Sequence, residues 1–186
     1  MTDKLIVLHM DDKPAWLENV ANQVKTLTVR GKRREVIVLS RLSIPEAQGL
    51  LDGKDKKMQS LVAGGHKLAA VILDLMMGGG MMQEVERWLI GLPRVIASSS
   101  GTDLPAAARQ EFSAMCPAAQ VGRKAREIGI PVVILTNASR FLPEKELPLD
   151  AERRLIMAAC GASQYVVKAD DHWSEHLKTA LEKAVS

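Results

Sequence analysis

The sequence predicts an α/β protein with a doubly wound, five-stranded parallel sheet, in a single domain over residues 1–186. Three observations predict it. Five short apolar runs, at 5–10, 36–39, 68–75, 131–135 and 165–167, are continuous rather than alternating, as strands covered on both faces require. Helical patterns separate the runs. The composition, 47% apolar and 25% charged in 186 residues, is that of a globular chain, which excludes disordered, collagenous and coiled-coil classes.

In chain order, the first strand (5–10) ends in Asp11-Asp12, and Pro14 stands where a first helical turn tolerates proline. Leu17, Val20, Val24 and Leu27 follow at i, i+3, i+7 and i+10, so a helix is expected to run through Leu27. After the second strand (36–39), a helix is expected over 44–62, interrupted by Gly49 and Gly53. The third strand ends near Asp74. Val121, Ala125 and Ile128 mark a helix before the fourth strand, which ends at Thr136. Ala151, Leu155, Ala158 and Ala159 mark one before the fifth, which ends at Lys168. Trp173, Leu177, Ala180, Leu181 and Ala184 give the closing helix its apolar stripe.

A strand-helix-strand unit needs roughly 30 residues, yet Asp74 and Thr136 lie 62 positions apart. An inserted segment is therefore expected between strand three and helix three, at about 77–117. It holds Gly78-Gly79-Gly80, a helical pattern over 81–90, the run Ser98-Ser99-Ser100-Gly101 and an alanine-rich helix near 105–115. Connections of this length are commonly functional, and a tolerated surface elaboration is the equal alternative.

The net charge of +3 names no polyanionic partner, and neither nucleic acid nor a membrane surface is expected. Cys116 and Cys160 make no disulfide framework or C-x-x-C pair and are expected to be core thiols. The run at 5–10 is too short for a signal peptide, and no run reaches the roughly 18 apolar residues of a membrane span. A cytoplasmic location is expected.

Asp11, Asp12, Asp74, Thr136 and Lys168 all stand at the carboxyl ends of strands, which in a parallel sheet face one side. Three carboxylates brought together repel one another unless a cation intervenes, and oxygen ligands without cysteine or histidine favour Mg²⁺. Lys168 and the Thr136 hydroxyl would serve the oxygens of a phosphate, and an aspartate beside Mg²⁺ and a lysine can form an aspartyl phosphate. Singly, each residue has a plainer reading: Asp12 as a helix cap, Lys168 as a solvated strand end, Thr136 as a turn residue. Asp74 directly after Val71-Ile72-Leu73 is harder to place in a plain role, because a carboxylate leaving a buried strand rarely sits unpaired.

Four motifs in order carry a resemblance: Asp11-Asp12-Lys13-Pro14, Val71-Ile72-Leu73-Asp74-Leu75-Met76-Met77, Ile130-Pro131-Val132-Val133-Ile134-Leu135-Thr136, and Gly161-Ala162-Ser163-Gln164-Tyr165-Val166-Val167-Lys168. The chain resembles a response-regulator receiver domain, the flavodoxin-like phosphoacceptor module of two-component signalling and of chemotaxis regulators. The resemblance covers most of 3–76 and 118–185. It implies that Asp74 is the phosphoacceptor, that Asp11, Asp12 and Asp74 hold Mg²⁺ with the Met76 backbone carbonyl, and that Lys168 binds the phosphoryl group. It further implies that Thr136 and Tyr165 form a switch. The chain departs from the pattern in having Ala169 after Lys168 and Gly78 after Met77, where the family has proline, in Asn137 after Thr136, and in the 77–117 segment.

The expected function is a stand-alone receiver, a phosphoacceptor rather than an enzyme, loaded by a histidine kinase or histidine phosphotransfer protein and read by a downstream protein. The alternative is an atypical or pseudo-receiver that binds partners without phosphorylation. A phosphohydrolase of the haloacid dehalogenase type would carry a second aspartate where Met76 stands. Weaker signals are two basic clusters (Arg30, Lys32, Arg33, Arg34; Lys54, Lys56, Lys57), expected as solvated loops, the pair His172 and His176, expected at the surface, and Met76, Met77, Met81 and Met82.

Overall fold

Each apolar run is a parallel strand of one sheet in the computed structural model, which describes residues 4–77, 82–96, 104–143 and 147–186. In chain order the elements are β1 (Leu5–Met10), α1 (Pro14–Gln23), β2 (Thr26–Val29), β3 (Lys32–Arg41), α2 (Ile44–Leu51), α3 (Lys56–Ala63) and β4 (Lys67–Leu73). They continue with α4 (Met82–Ile96), α5 (Ala106–Met115), α6 (Ala118–Glu127), β5 (Val132–Thr136), α7 (Leu149–Cys160), β6 (Gln164–Val167) and α8 (Trp173–Val185). The sheet order is β2-β3-β1-β4-β5-β6. Among the described strands only β2 is antiparallel, pairing with β3 at the edge. Without β2, the parallel strands read 2-1-3-4-5, one of the common doubly wound orders.

The sheet thus has six strands, not five, and the reason lies at 24–31. Val24 and Leu27 satisfy a helical period, but α1 stops at Gln23 and the chain turns into Thr26-Leu27-Thr28-Val29, where β-branched residues favour a strand. Arg30 and Gly31, both at positive φ (50° and 72°), make the two-residue turn into β3. Leu27 is still buried, from a strand rather than a helix. The basic run 30–34 is consequently a hairpin, not a loop.

The helix expected over 44–62 is two helices. Ser43 and Glu46 cap the start of α2 reciprocally. Gly53 at φ 69° breaks the chain, and Asp55 starts α3 by accepting the Met58 amide at 2.8 Å. Three helices, α4, α5 and α6, connect β4 to β5. Trp88 on α4 donates from Nε1 to the Ala108 carbonyl at 3.1 Å and packs at a tilt of 55° against Phe112, ring centroids 4.5 Å apart, which fastens α4 to α5. Gly78-Gly79-Gly80, Met81 and the 98–101 run lie outside the described residues, while Met76 and Met77 pack against the core.

Two apolar layers sandwich the sheet. On one face α1 and α8 cover Val7, Ile72, Val133 and Leu135; on the other, α2 to α7 cover Ile6, Leu8, Leu73 and Ile134. A side chain at Gly122 of α6 would place its Cβ 2.3 Å from the Cys160 carbonyl oxygen and 2.7 Å from Leu73 Cδ1, so only glycine lets α6 approach α7 and β4 this closely. Cys116 and Cys160 are buried and free, as expected of core thiols. No described helix is long and apolar enough to cross a membrane.

Candidate functional site

Sheet register brings the candidate residues together. Met10 pairs with Leu73, and the Asp74 amide donates to the Met10 carbonyl at 2.9 Å, so the residues leaving β1 and β4 are neighbours. Thr136 pairs with Val167, and the Lys168 amide donates to the Thr136 carbonyl at 2.8 Å. Asp11, Asp74, Thr136 and Lys168 are all buried at this end of the sheet, and Asp12 is half-buried.

Asp11, Asp12 and Asp74 each offer a carboxylate oxygen within 4.8 Å of the other two. Asp11 and Asp74 use their oxygens alike. Asp11 Oδ1 accepts the Lys13 amide at 2.9 Å and Asp74 Oδ1 accepts the Met76 amide at 3.2 Å, the i to i+2 turn that short acidic side chains make with their own backbone. Each carboxylate thereby holds its own loop with one oxygen and presents the other inward. There Lys168 Nζ lies 2.5 Å from Asp11 Oδ2 and 3.0 Å from Asp74 Oδ2. The plainer reading of Lys168 as a solvated strand end does not hold, because its ammonium is fully buried. Nor does Asp12 cap α1: Lys13 is the cap residue, with no side-chain bond.

The buried surroundings tilt the electrostatics. Burial holds the Asp11 carboxyl above its ordinary range, although the Lys168 ammonium pulls the other way. Three carboxyl groups gather around a single ammonium, an excess of acidic oxygens that suits a divalent cation. The acidic cluster can therefore hold a metal ion. Cys116, whose Sγ–H reaches the Leu75 carbonyl at 3.5 Å, is pushed up to about 12 by burial, so it stays a thiol beside the cluster.

Thr136 and Tyr165 meet at one loop residue. The Thr136 hydroxyl oxygen accepts the Ala138 amide at 3.3 Å, and the Tyr165 hydroxyl donates to the Ala138 carbonyl at 2.8 Å. Arg153 stands 5.3 Å over the tyrosine ring. Burial raises the Tyr165 phenol above its ordinary value, keeping it a donor.

Three further residues shape the site without having been singled out in the sequence. His9 sits two residues before Asp11 on the same face of β1, with Nε2 3.9 Å from Asp11 Oδ2, and neither ring nitrogen has a hydrogen-bond partner among the described residues. Burial, then the Lys168 charge, lowers its pKa to about 3, so it is neutral. The period-2 geometry of a strand was the available signal. Trp16 on α1 lies with its ring 5.0 Å from Lys168 Nζ and packs edge-on against Trp173 of α8, covering the ammonium from the α1 side. Glu152, buried in the first turn of α7, accepts the amides of Phe141 and Leu142, both at 2.9 Å, and so fixes the loop that follows Thr136. Nothing local in the sequence marks that role. His172 and His176 are exposed with rings 6.4 Å apart, as expected of surface residues. No protein-family model matches the chain, and no curated protein matches it in sequence.

Proposed function

We propose that the chain is a receiver-type phosphoacceptor domain, with Asp74 as the acceptor and Mg²⁺ as its metal, held by Asp11, Asp12 and Asp74 and by the Met76 carbonyl. The observation that carries this reading is one buried ammonium, Lys168, shared by two of three clustered aspartates at the carboxyl ends of adjacent parallel strands. Simple structural ion pairs do not call for a third carboxylate there. On this reading the three helices between β4 and β5 include a family-foreign segment within 77–117.

Bound Mg²⁺ would neutralise charge on the carboxylates and on the incoming phosphoryl oxygens. Asp74 supplies the nucleophile: a carboxylate oxygen bonds to phosphorus while the bond from phosphorus to the donor, a histidine nitrogen of a kinase or phosphotransfer protein, breaks and leaves the electron pair on that nitrogen. Lys168 begins between Asp11 and Asp74, so it lies ready to pair with the phosphoryl oxygens as Asp74 becomes an acyl phosphate. The Thr136 hydroxyl donates to the same group by turning from Ala138, and because Tyr165 holds the Ala138 carbonyl, movement of that loop reaches the β5–α7 surface where a downstream protein would read it.

The test is incubation with a small phosphodonor and Mg²⁺, followed by intact mass. Wild type is expected to gain one phosphoryl group, Asp74→Asn none, and chelation of the metal to prevent the gain. A folded wild type that gains no mass would replace this reading with a phosphorylation-independent interaction module. Steady release of phosphate from an ester substrate would replace it with a phosphohydrolase.

A further inference from the structure

At the opposite pole from the acidic cluster, the β2–β3 hairpin, the amino ends of β1 and β4, the start of β5 and the last turn of α8 enclose a cleft of about 580 Å³. Four cations line it: Arg30, Lys32, Arg34 and Lys67. Among the described residues no aspartate or glutamate pairs with any of them and no acidic side chain lines the cleft; only Arg30 is engaged, by the terminal residue Ser186. Nearby carboxylates are engaged elsewhere. Glu35 projects from the other face of β3 to Lys4 at 2.6 Å, and Glu182 accepts the Thr28 amide at 2.7 Å.

The hairpin is arranged to collect this charge. Lys32 and Arg34 are two apart on β3 and so share a face, the one on which Val36 and Val38 pack into the apolar layer under α1. Arg30 occupies a turn position at φ 50°, where asparagine, aspartate or glycine is the ordinary choice. Its guanidinium Nε donates to the main-chain terminal oxygen of Ser186 at 3.4 Å, which holds it at the cleft. The floor is apolar, with Leu5, Leu68, Pro131 and Val185.

We propose that this cleft binds a nucleotide-sized phosphorylated small molecule, its phosphates on Arg30, Lys32, Arg34 and Lys67 and its uncharged part on the apolar floor. The volume lies within the range of small-molecule sites, and a concave group of like charges beside an apolar wall focuses potential on an anion. A nucleic-acid strand fits less well. Among the described residues no aromatic ring lines the cleft for base stacking, and the other basic cluster does not extend it, since Lys54 lines a separate cleft with Arg41 and Asp55 beyond the far end of β3. The proposal is independent of the phosphoacceptor reading.

The test is calorimetric titration of the full chain with adenosine triphosphate at low salt, in chelator so that no divalent metal recruits the triphosphate to the acidic cluster. The expected result is saturable binding at one site, weakened about tenfold or more in Lys32→Gln/Arg34→Gln and in Lys67→Gln, and unchanged in Asp74→Asn. Thermal unfolding of the same variants checks that they fold. Absence of saturable binding by wild type, or equal binding by the charge-removed variants, would overturn the proposal. Equal affinity for inorganic pyrophosphate would also overturn it by removing the role of the floor, and tighter binding of an oligoglutamate peptide would assign the cleft to an acidic polypeptide instead.

Discussion

At Lys168 a single ammonium neutralises part of the charge on two buried carboxylates, which makes it the residue whose loss the cluster tolerates least. Removing one partner of a buried pair leaves uncompensated charge and costs about 3–5 kcal/mol. Lys168→Met is therefore expected to lose that much stability at neutral pH in urea unfolding, and to recover part of it on adding Mg²⁺. His9 gives a pH signature. Its folded pKa of about 3 lies below the ordinary 6.5, so the unfolded chain binds a proton that the folded chain refuses, and stability falls as pH drops from about 6.5 toward 3. Asp11 has the opposite sign. Its folded pKa is raised, so its contribution is present below the unfolded value and is lost as pH rises through the folded one. Comparing wild type with His9→Leu, which keeps Asp11, isolates the histidine. Between pH 7 and pH 5, wild type is expected to lose about 2 kcal/mol more than the variant in urea unfolding. At pH 7 the variant should be no less stable, because it removes two buried nitrogens that have no hydrogen-bond partner among the described residues.

Among the elements, α6 shows how far packing overrides propensity. Glycine inside a helix ordinarily costs about 1 kcal/mol relative to alanine, so propensity alone says Gly122→Ala should stabilise the protein. The contacts say otherwise. A Cβ there would overlap the Cys160 carbonyl and Leu73, and overpacking of this kind costs about 1–3 kcal/mol. The expected net effect is a loss of up to about 2 kcal/mol by denaturant unfolding; a gain in stability would show that α6 moves aside freely. The hairpin is the other lesson at this scale. Val24 and Leu27 are apolar under both helical and extended periods, so periodicity could not separate them, and the Arg30-Gly31 turn together with pairing to β3 decided for a strand.

For the molecule as a whole, the cluster links stability to metal, because a ligand that binds only the folded chain stabilises it by mass action. Mg²⁺ at a hundredfold excess over its dissociation constant is expected to raise unfolding free energy by about 2.7 kcal/mol, and Asp12→Asn, at the half-buried edge of the cluster, to reduce the gain. Thermal unfolding in chelator and in excess Mg²⁺ measures it. Much of this architecture was legible beforehand: short continuous apolar runs read as strands covered on both faces, and a chain that alternates such strands with helices sends Asp11, Asp74, Thr136 and Lys168 to one end of the sheet. That inference needs only local pattern and handedness, which adjacent residues encode. What the tertiary structure alone decided is which oxygen faces inward, that Lys168 lies between Asp11 and Asp74, that Trp16 covers it, that Glu152 ties down the loop after Thr136, and that four separated cations share one cleft. Such relations join residues up to 157 positions apart, where side-chain packing and sheet register, not sequence period, set the distances.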